Sequence, residues 1–134
     1  MNLTLNHDDE LLIGGAMLFI DHGLVIVEDP QSSYLHDWDP SGEYVSVGPD
    51  SLYLSVQPSV DGPVKMGIFN SDSGHDDGVV YFDGEITVSS GVIVVHDAND
   101  VLRFTVRKPK GPVGIRVLVD EGGLATKMKI LFLS

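Results

Sequence analysis

The segment from Glu28 to Glu43, with the tyrosine that follows it, combines aromatic rings and carboxylates in a stretch with little periodicity. Its rings are Tyr34, His36, Trp38 and Tyr44, and its carboxylates among them are Asp37, Asp39 and Glu43. Tyrosine and tryptophan supply large contact areas in protein interfaces, and carboxylates steer a basic partner towards them. We therefore predict a surface loop that binds a basic protein through Asp37, Trp38, Asp39, Glu43 and Tyr44. The alternative for Trp38 is that its ring folds inward and closes one end of the core.

A second polar cluster precedes a strand that is predicted to begin at Val79. It contains Asn70, Asp72, His75, Asp76 and Asp77. Oxygen-rich loops suit calcium, but this one lacks the glutamate that closes the twelve-residue calcium loop. We predict no metal site and interpret Asp72, Asp76 and Asp77 as a second acidic patch for the same partner. A calcium-dependent or carbohydrate-binding module remains an alternative.

The sequence gives little support for catalytic activity. The absence of cysteine excludes a cysteine nucleophile and thiolate metal ligands. The five histidines, His7, His22, His36, His75 and His96, are too far apart in sequence to form a local metal-binding pair. Nucleophile-elbow, zincin and phosphate-loop motifs are absent, and the pair His96-Asp97 is a common arrangement at the end of a strand. We predict a non-catalytic protein with no cofactor.

Period-two alternation of apolar residues recurs along the chain, and no long window keeps a helical pattern. The candidate strands are Leu3–Asn6, Leu11–Ile20, Leu24–Val27, Tyr44–Val47, Leu52–Val56, Val64–Phe69, Val79–Val88, Val92–His96, Leu102–Arg107, Ile115–Val119 and Met128–Leu133. Turns rich in glycine, proline and aspartate separate them about every ten residues. The pattern predicts an all-β fold, either an antiparallel β-sandwich or a jelly-roll-like arrangement of about 9–11 short strands.

The clearest predicted hairpin joins Val79–Val88 to Val92–His96 through a turn at Ser89 and Ser90. The later strands alternate regularly between apolar and cationic side chains. In the last of them, Met128 and Ile130 oppose Lys127 and Lys129. We interpret the cationic side of these strands as a solvated outer face.

Charge is distributed unevenly along the chain, whose net charge is −12. Residues 1–102 contain one Lys or Arg, Lys65, against 18 Asp and Glu, whereas residues 103–134 contain seven Lys and Arg against two Asp and Glu. An acidic surface repels phosphate, so nucleic acid is not expected as a partner. The acidity favours a cationic protein partner, although it leaves the basic C-terminal strands unexplained.

The 134 residues are sufficient for one domain, and we expect a single β-sandwich over residues 1–134. The N-terminus has no basic region, and the apolar stretch Leu11–Ile20 is too short to span a membrane. We therefore expect a soluble, cytoplasmic protein without a membrane partner, and self-association remains open.

Several short motifs resemble those of the competence protein J family, small bacterial β-sandwich proteins that inhibit a DNA-entry nuclease. They are Asp37-Trp38-Asp39 followed by Gly42-Glu43-Tyr44, the segments Ile86–Val88 and Gly91–Val94, and the strand Leu102–Val106 leading to Lys108-Pro109-Lys110-Gly111. The resemblance covers roughly residues 35–120. The chain departs from the family pattern at Gly84-Glu85, where the family has a proline, and at Pro112-Val113, where it has a tyrosine.

The resemblance implies that the protein inhibits a basic partner, such as a nuclease or a toxin, by binding it. An acidic loop can occupy the phosphate track of such a partner and compete with nucleic acid. Other classes that remain open are the calcium-dependent or carbohydrate-binding module and a structural component of a larger assembly.

Overall fold

The computed structural model describes residues 12–37, 43–70, 78–99 and 103–133. The described residues form ten strands and no α-helix. The strands are β1 (Leu12–Leu18), β2 (Leu24–Glu28), β3 (Val45–Val47), β4 (Ser51–Ser55), β5 (Val64–Phe69), β6 (Val79–Val88), β7 (Val92–Asp97), β8 (Arg103–Arg107), β9 (Gly111–Val119) and β10 (Lys127–Leu133). Two short 3₁₀ turns cover Asp21–Gly23 and Ser59–Asp61.

The strands form two five-stranded sheets. The first sheet has the order β1-β5-β10-β9-β6, and the second has the order β3-β4-β2-β7-β8. All neighbouring strands are antiparallel except β5 and β10, which run parallel. This architecture confirms the predicted all-β sandwich.

Alternation of side chains along the strands creates the core between the sheets. In β5, Val64, Met66 and Ile68 are buried, and they alternate with more accessible positions. The same alternation places the inward-facing residues of β9 and β10 in the core: Val113, Ile115, Val117, Val119, Met128, Ile130 and Phe132. The second sheet contributes residues such as Val25, Val27 and Leu52 from the opposite side. One continuous apolar layer therefore holds the two sheets together.

The predicted hairpin between β6 and β7 is wrong. β6 pairs with β9 in the first sheet, whereas β7 pairs with β2 and β8 in the second. Ser89 and Ser90 thus carry the chain from one sheet to the other. Both strands are apolar on one side, a pattern that fits two facing strands as well as two paired ones, so alternation alone did not distinguish them.

Most predicted strand positions are confirmed to within one or two residues. The main exception is β9, which begins at Gly111 instead of Ile115 because the ten-residue strand β6 pairs with it as far as Gly111. Pro112 is tolerated there because the ladder with β10 stops at Gly114, so its missing N–H interrupts no bond on that side. Leu3–Asn6 and Leu102 lie outside the described residues.

Candidate functional site

Two parts of the predicted binding loop lie at β3. Glu43 and Tyr44 directly precede the strand, and the segment around His36 packs against it. Asp37 and Glu43 are exposed, and Tyr44 exposes 51% of its surface. The other predicted binding residues lie outside the described residues: Trp38, Asp39, Asp72, Asp76 and Asp77. The structure therefore places three of the predicted side chains along β3 and leaves the rest as predictions.

His36 fixes the first part of the loop against the outer face of the second sheet. Its ring stacks on Tyr53 at 3.8 Å between centroids and 16° between planes. Its Nδ1 lies 2.8 Å from Ser46 Oγ, and its Nε2 lies 2.8 Å from Ser51 Oγ. A neutral imidazole can donate to one serine and accept from the other, so both ring nitrogens are satisfied. Tyr34 packs edge-on against this ring at 4.8 Å.

Burial lowers the pKa of His36 below its usual 6.5, and the nearby carboxylates of Glu28 and Asp50 act in the opposite direction. The neutral form is therefore favoured in the folded protein. The loop end held by His36 consequently depends on an imidazole that stays uncharged near neutral pH.

A buried carboxylate holds the start of the same loop. Asp29, which is 0% exposed, accepts the backbone N–H groups of Ser89 and Ser90 at 2.7 and 2.9 Å on Oδ2. Its Oδ1 accepts the N–H of Gln31 at 2.8 Å. Burial by itself would raise the pKa of Asp29, but the backbone donors of Ser90, Gln31 and Ser89 outweigh it and hold the pKa at about 2. Asp29 thus ties the loop to the turn that connects the sheets.

Tyr44 directly precedes the first residue of β3, and its ring packs on the turn that contains Gly122 and Gly123. A Cβ at Gly123 would lie 2.7 Å from Tyr44 Cε1, and one at Gly122 would lie 3.2 Å from Cε2. The ring also stacks on Tyr81 with centroids 6.4 Å apart. The absence of side chains at the two glycines therefore allows the Tyr44 ring to approach the backbone closely.

Tyr81 supports this end because a β-bulge redirects it. The register between β6 and β9 shifts between Val80 and Phe82, which leaves Tyr81 as the extra residue. Its hydroxyl donates to the carbonyl oxygen of Ser55 at 2.8 Å and accepts the N–H of Gly123 at 2.6 Å. Burial raises the pKa of Tyr81 above 10, so it remains a neutral donor. The side chain thereby connects both sheets to the glycine turn beneath Tyr44.

We call the exposed strip along β3 the β3 surface. It comprises Tyr34, Leu35, Asp37, Glu43, Tyr44 and Val47. Tyr34 lies at its Gly48 end, where a Cβ on that glycine would meet the ring at 2.5 Å. The four-residue separation from Tyr44 to Gly48 corresponds to roughly 13 Å along an extended strand. Leu35, 89% exposed, lies beside Tyr34 in sequence. Rings, aliphatic side chains and carboxylates thus lie along or next to the edge strand β3.

His96 is engaged in the fold. Its Nε2 lies 2.6 Å from Glu28 Oε2, and its Nδ1 lies 3.0 Å from the carbonyl oxygen of Asp97. The side chain links β7 to the neighbouring strand β2. In the described parts of the chain, no group of three or more His, Cys, Asp or Glu side chains could hold a metal ion.

Sequence reasoning named exposed residues of the β3 surface but missed the residues that hold them. Asp29 lies inside the predicted loop, directly before Pro30, yet nothing local indicates its partners sixty residues away. The position of Tyr81 depends on a bulge that alternation does not reveal. The double glycine Gly122-Gly123 was recognisable as a turn, but its contact with Tyr44 is a tertiary feature.

These features define a two-sheet β-sandwich with an acidic and aromatic surface along a short strand. In structure the chain is similar to ComJ from Bacillus subtilis, an inhibitor of the DNA-degrading activity of NucA. The TM-score is 0.69 at 13% sequence identity, and the match covers 92% of this chain and 96% of ComJ. The likeness confirms the expected resemblance at the level of the fold.

Comparison by sequence adds nothing to this likeness. No protein-family model matches the chain, and no curated protein matches it. Among the described residues, no helix has the length and apolar character needed to cross a bilayer.

Proposed function

We propose that this protein is a non-catalytic inhibitor that binds a nuclease, or a toxin of that kind, and blocks its access to nucleic acid. The observation that carries the proposal is the fold shared with ComJ over nearly the whole of both chains. The net charge of −12 supports a basic partner, because a nuclease that binds phosphates presents a cationic surface.

The β3 surface is the part of the molecule that we assign to this binding. Asp37 and Glu43 would face the cationic track of the partner, where they compete with phosphate groups. Tyr44 would supply an anchor that is already fixed by the glycine turn, so little conformational entropy is lost when the partner binds. Trp38 and Asp39, which lie between Asp37 and Glu43 in sequence, belong to the same proposal.

The test is an assay of DNA degradation with a purified nuclease or toxin encoded beside the gene for this protein. The wild-type protein should inhibit the enzyme, and added salt should weaken the inhibition. The double variant Asp37→Lys, Glu43→Lys should bind at least about tenfold more weakly, because two attractive charges become repulsive. Its remaining affinity should depend less on salt than that of the wild type.

The matched control is Glu85→Lys, which reverses an exposed charge on β6 in the other sheet. It should inhibit as well as the wild type. If the wild-type protein binds no such enzyme, the proposed function is wrong. If it binds and the double variant binds equally well, the function stands and the assignment to the β3 surface is wrong.

A further inference from the structure

The outer face of the first sheet gathers lysines from distant parts of the sequence. Lys65 of β5 and Lys127 of β10 are direct partners in the parallel ladder, and Lys129 follows two residues later on the same side. Neighbouring strands are about 4.8 Å apart, and residues two apart on a strand are separated by about 6.6 Å. Three ammonium groups on flexible stems can therefore reach one small ligand.

The charges of these lysines are not paired within the part of the chain that the structure describes. The chain has 20 Asp and Glu against 8 Lys and Arg, yet none of the three lysines forms a salt bridge with a carboxylate in the described parts of the chain. Arg116 on the same face differs, since it pairs with Asp83 at 3.3 Å. Like charges side by side on a sheet are destabilising, so the lysine cluster is a cost to the folded protein that a bound anion would offset.

The cluster borders a shallow depression of about 250 Å³. Its lining residues are Gly78, Leu118, Val119, Asp120, Lys127 and Lys129. The Asp120 carboxylate is directed to its own turn, where it accepts the backbone N–H groups of Thr126 and Lys127 at 2.9 and 3.0 Å. Gly78 packs directly on the backbone of β9, because a Cβ there would lie 2.5 Å from the carbonyl oxygen of Val119. The depression is smaller than the pockets that take drug-sized ligands.

We propose that Lys65, Lys127 and Lys129 form a binding site for a phosphate group, either as inorganic phosphate or as the terminal group of a nucleotide. Lysine binds phosphate as a compact point charge on a flexible stem. The small volume and the net charge of −12 disfavour a long polyanion. The site lies on the opposite sheet from the β3 surface and does not depend on inhibition of a nuclease.

The experiment is an NMR titration of the ¹⁵N-labelled protein with sodium phosphate, matched against sodium chloride at equal ionic strength. Phosphate should produce saturable shifts of the amide signals of Lys65, Gly78, Lys127 and Lys129, and it should raise the melting temperature. The double variant Lys127→Gln, Lys129→Gln should bind about tenfold more weakly or not at all. Lys110→Gln, an exposed lysine between β8 and β9, should bind as the wild type does.

Further titrations identify the source of the ligand and can overturn the proposal. A nucleoside monophosphate that shifts the same signals would support a nucleotide source, and saturation by inorganic phosphate alone would support the free ion. Shifts that do not saturate, or that chloride reproduces, would show that there is no site. Preferential binding of poly-glutamate would identify an acidic protein surface as the ligand. Binding that strengthens with the length of an oligonucleotide would identify a nucleic-acid track instead.

Discussion

The two ends of the β3 surface are held by different kinds of interaction. At the Gly48 end, the loop depends on the charged carboxylate of Asp29 and the neutral imidazole of His36. At the other end, Tyr44 depends on the close approach of its ring to Gly122-Gly123 and on the neutral hydroxyl of Tyr81. One end is therefore sensitive to protonation, whereas the other is sensitive to shape.

This difference bears on how the β3 surface can be kept rigid in an acidic protein. Uncharged contacts support Tyr44 without adding to the repulsion among the carboxylates. Asp29 adds a negative charge, but backbone N–H groups surround it and compensate that charge locally. The β3 surface can therefore carry exposed carboxylates while its supports remain stable near neutral pH.

The largest effect on stability is expected from Asp29→Asn, which removes the charged carboxylate at the Gly48 end of the β3 surface. The amide keeps the volume but replaces one accepting oxygen with an NH₂ group that faces backbone donors. Loss of buried, charge-assisted hydrogen bonds should reduce the free energy of unfolding by about 2–3 kcal/mol. Urea denaturation at neutral pH measures the difference, and Asp50→Asn, which keeps an oxygen to accept the hydrogen bond from Ser32 and loses only the charge on it, should cost less than about 1 kcal/mol.

The advantage of the wild type over Asp29→Asn should depend on pH. The folded-state pKa of Asp29, about 2, is below its ordinary 3.8, so the carboxylate stabilises the fold above about pH 4. That stabilisation should be lost as the pH falls towards 2. A difference between the two proteins that stays constant over this range would contradict the role of the charge.

The contrast between exposed and supporting residues also explains what the sequence could reveal. Alternation and turn residues located nearly all the described strands, because they depend on neighbours two to four positions away. The pairing of β6 with β9 instead of β7 depends on contacts about thirty residues apart, and no local pattern encodes it. Exposed residues of the β3 surface, such as Tyr44, were recognisable from their type. Their supports, Asp29 and Tyr81, act through partners brought together only by folding.

A smaller effect on stability is expected from Gly123→Ala, which disturbs the close contact between the Tyr44 ring and the glycine turn. Gly123 has φ +85°, and its new Cβ would meet the Tyr44 ring at 2.7 Å. Backbone strain together with displacement of the ring should cost about 1–2 kcal/mol in urea denaturation. The variant should also bind the proposed partner more weakly, because the aromatic anchor is no longer fixed.

The variant Gly111→Ala separates backbone strain from displacement of the Tyr44 ring. Gly111 also has a positive φ, +120°, but a Cβ there has no atom within 4 Å. Its cost of about 1 kcal/mol should reflect backbone strain alone, and partner binding should be unchanged. Equal losses of binding in the two variants would show that the contact between Tyr44 and Gly123 does not position the ring.

The smallest effect is expected from protonation of His36, which should affect the Gly48 end of the β3 surface and leave the Tyr44 end unchanged. Because burial lowers the pKa of this imidazole, its NMR titration midpoint should lie below 6.5, and the His36→Gln variant should lack that resonance. The folded protein favours the neutral ring, so its contribution to stability is present above the ordinary pKa and is lost as the pH falls through the folded value. Between pH 7 and 5, amide protection factors, which allow for the slower intrinsic exchange at lower pH, should therefore fall near Tyr34 and His36 before they change near Tyr44, whose support Tyr81 remains neutral throughout. A midpoint at or above 6.5, or equal changes at both ends, would mean that protonation does not separate them.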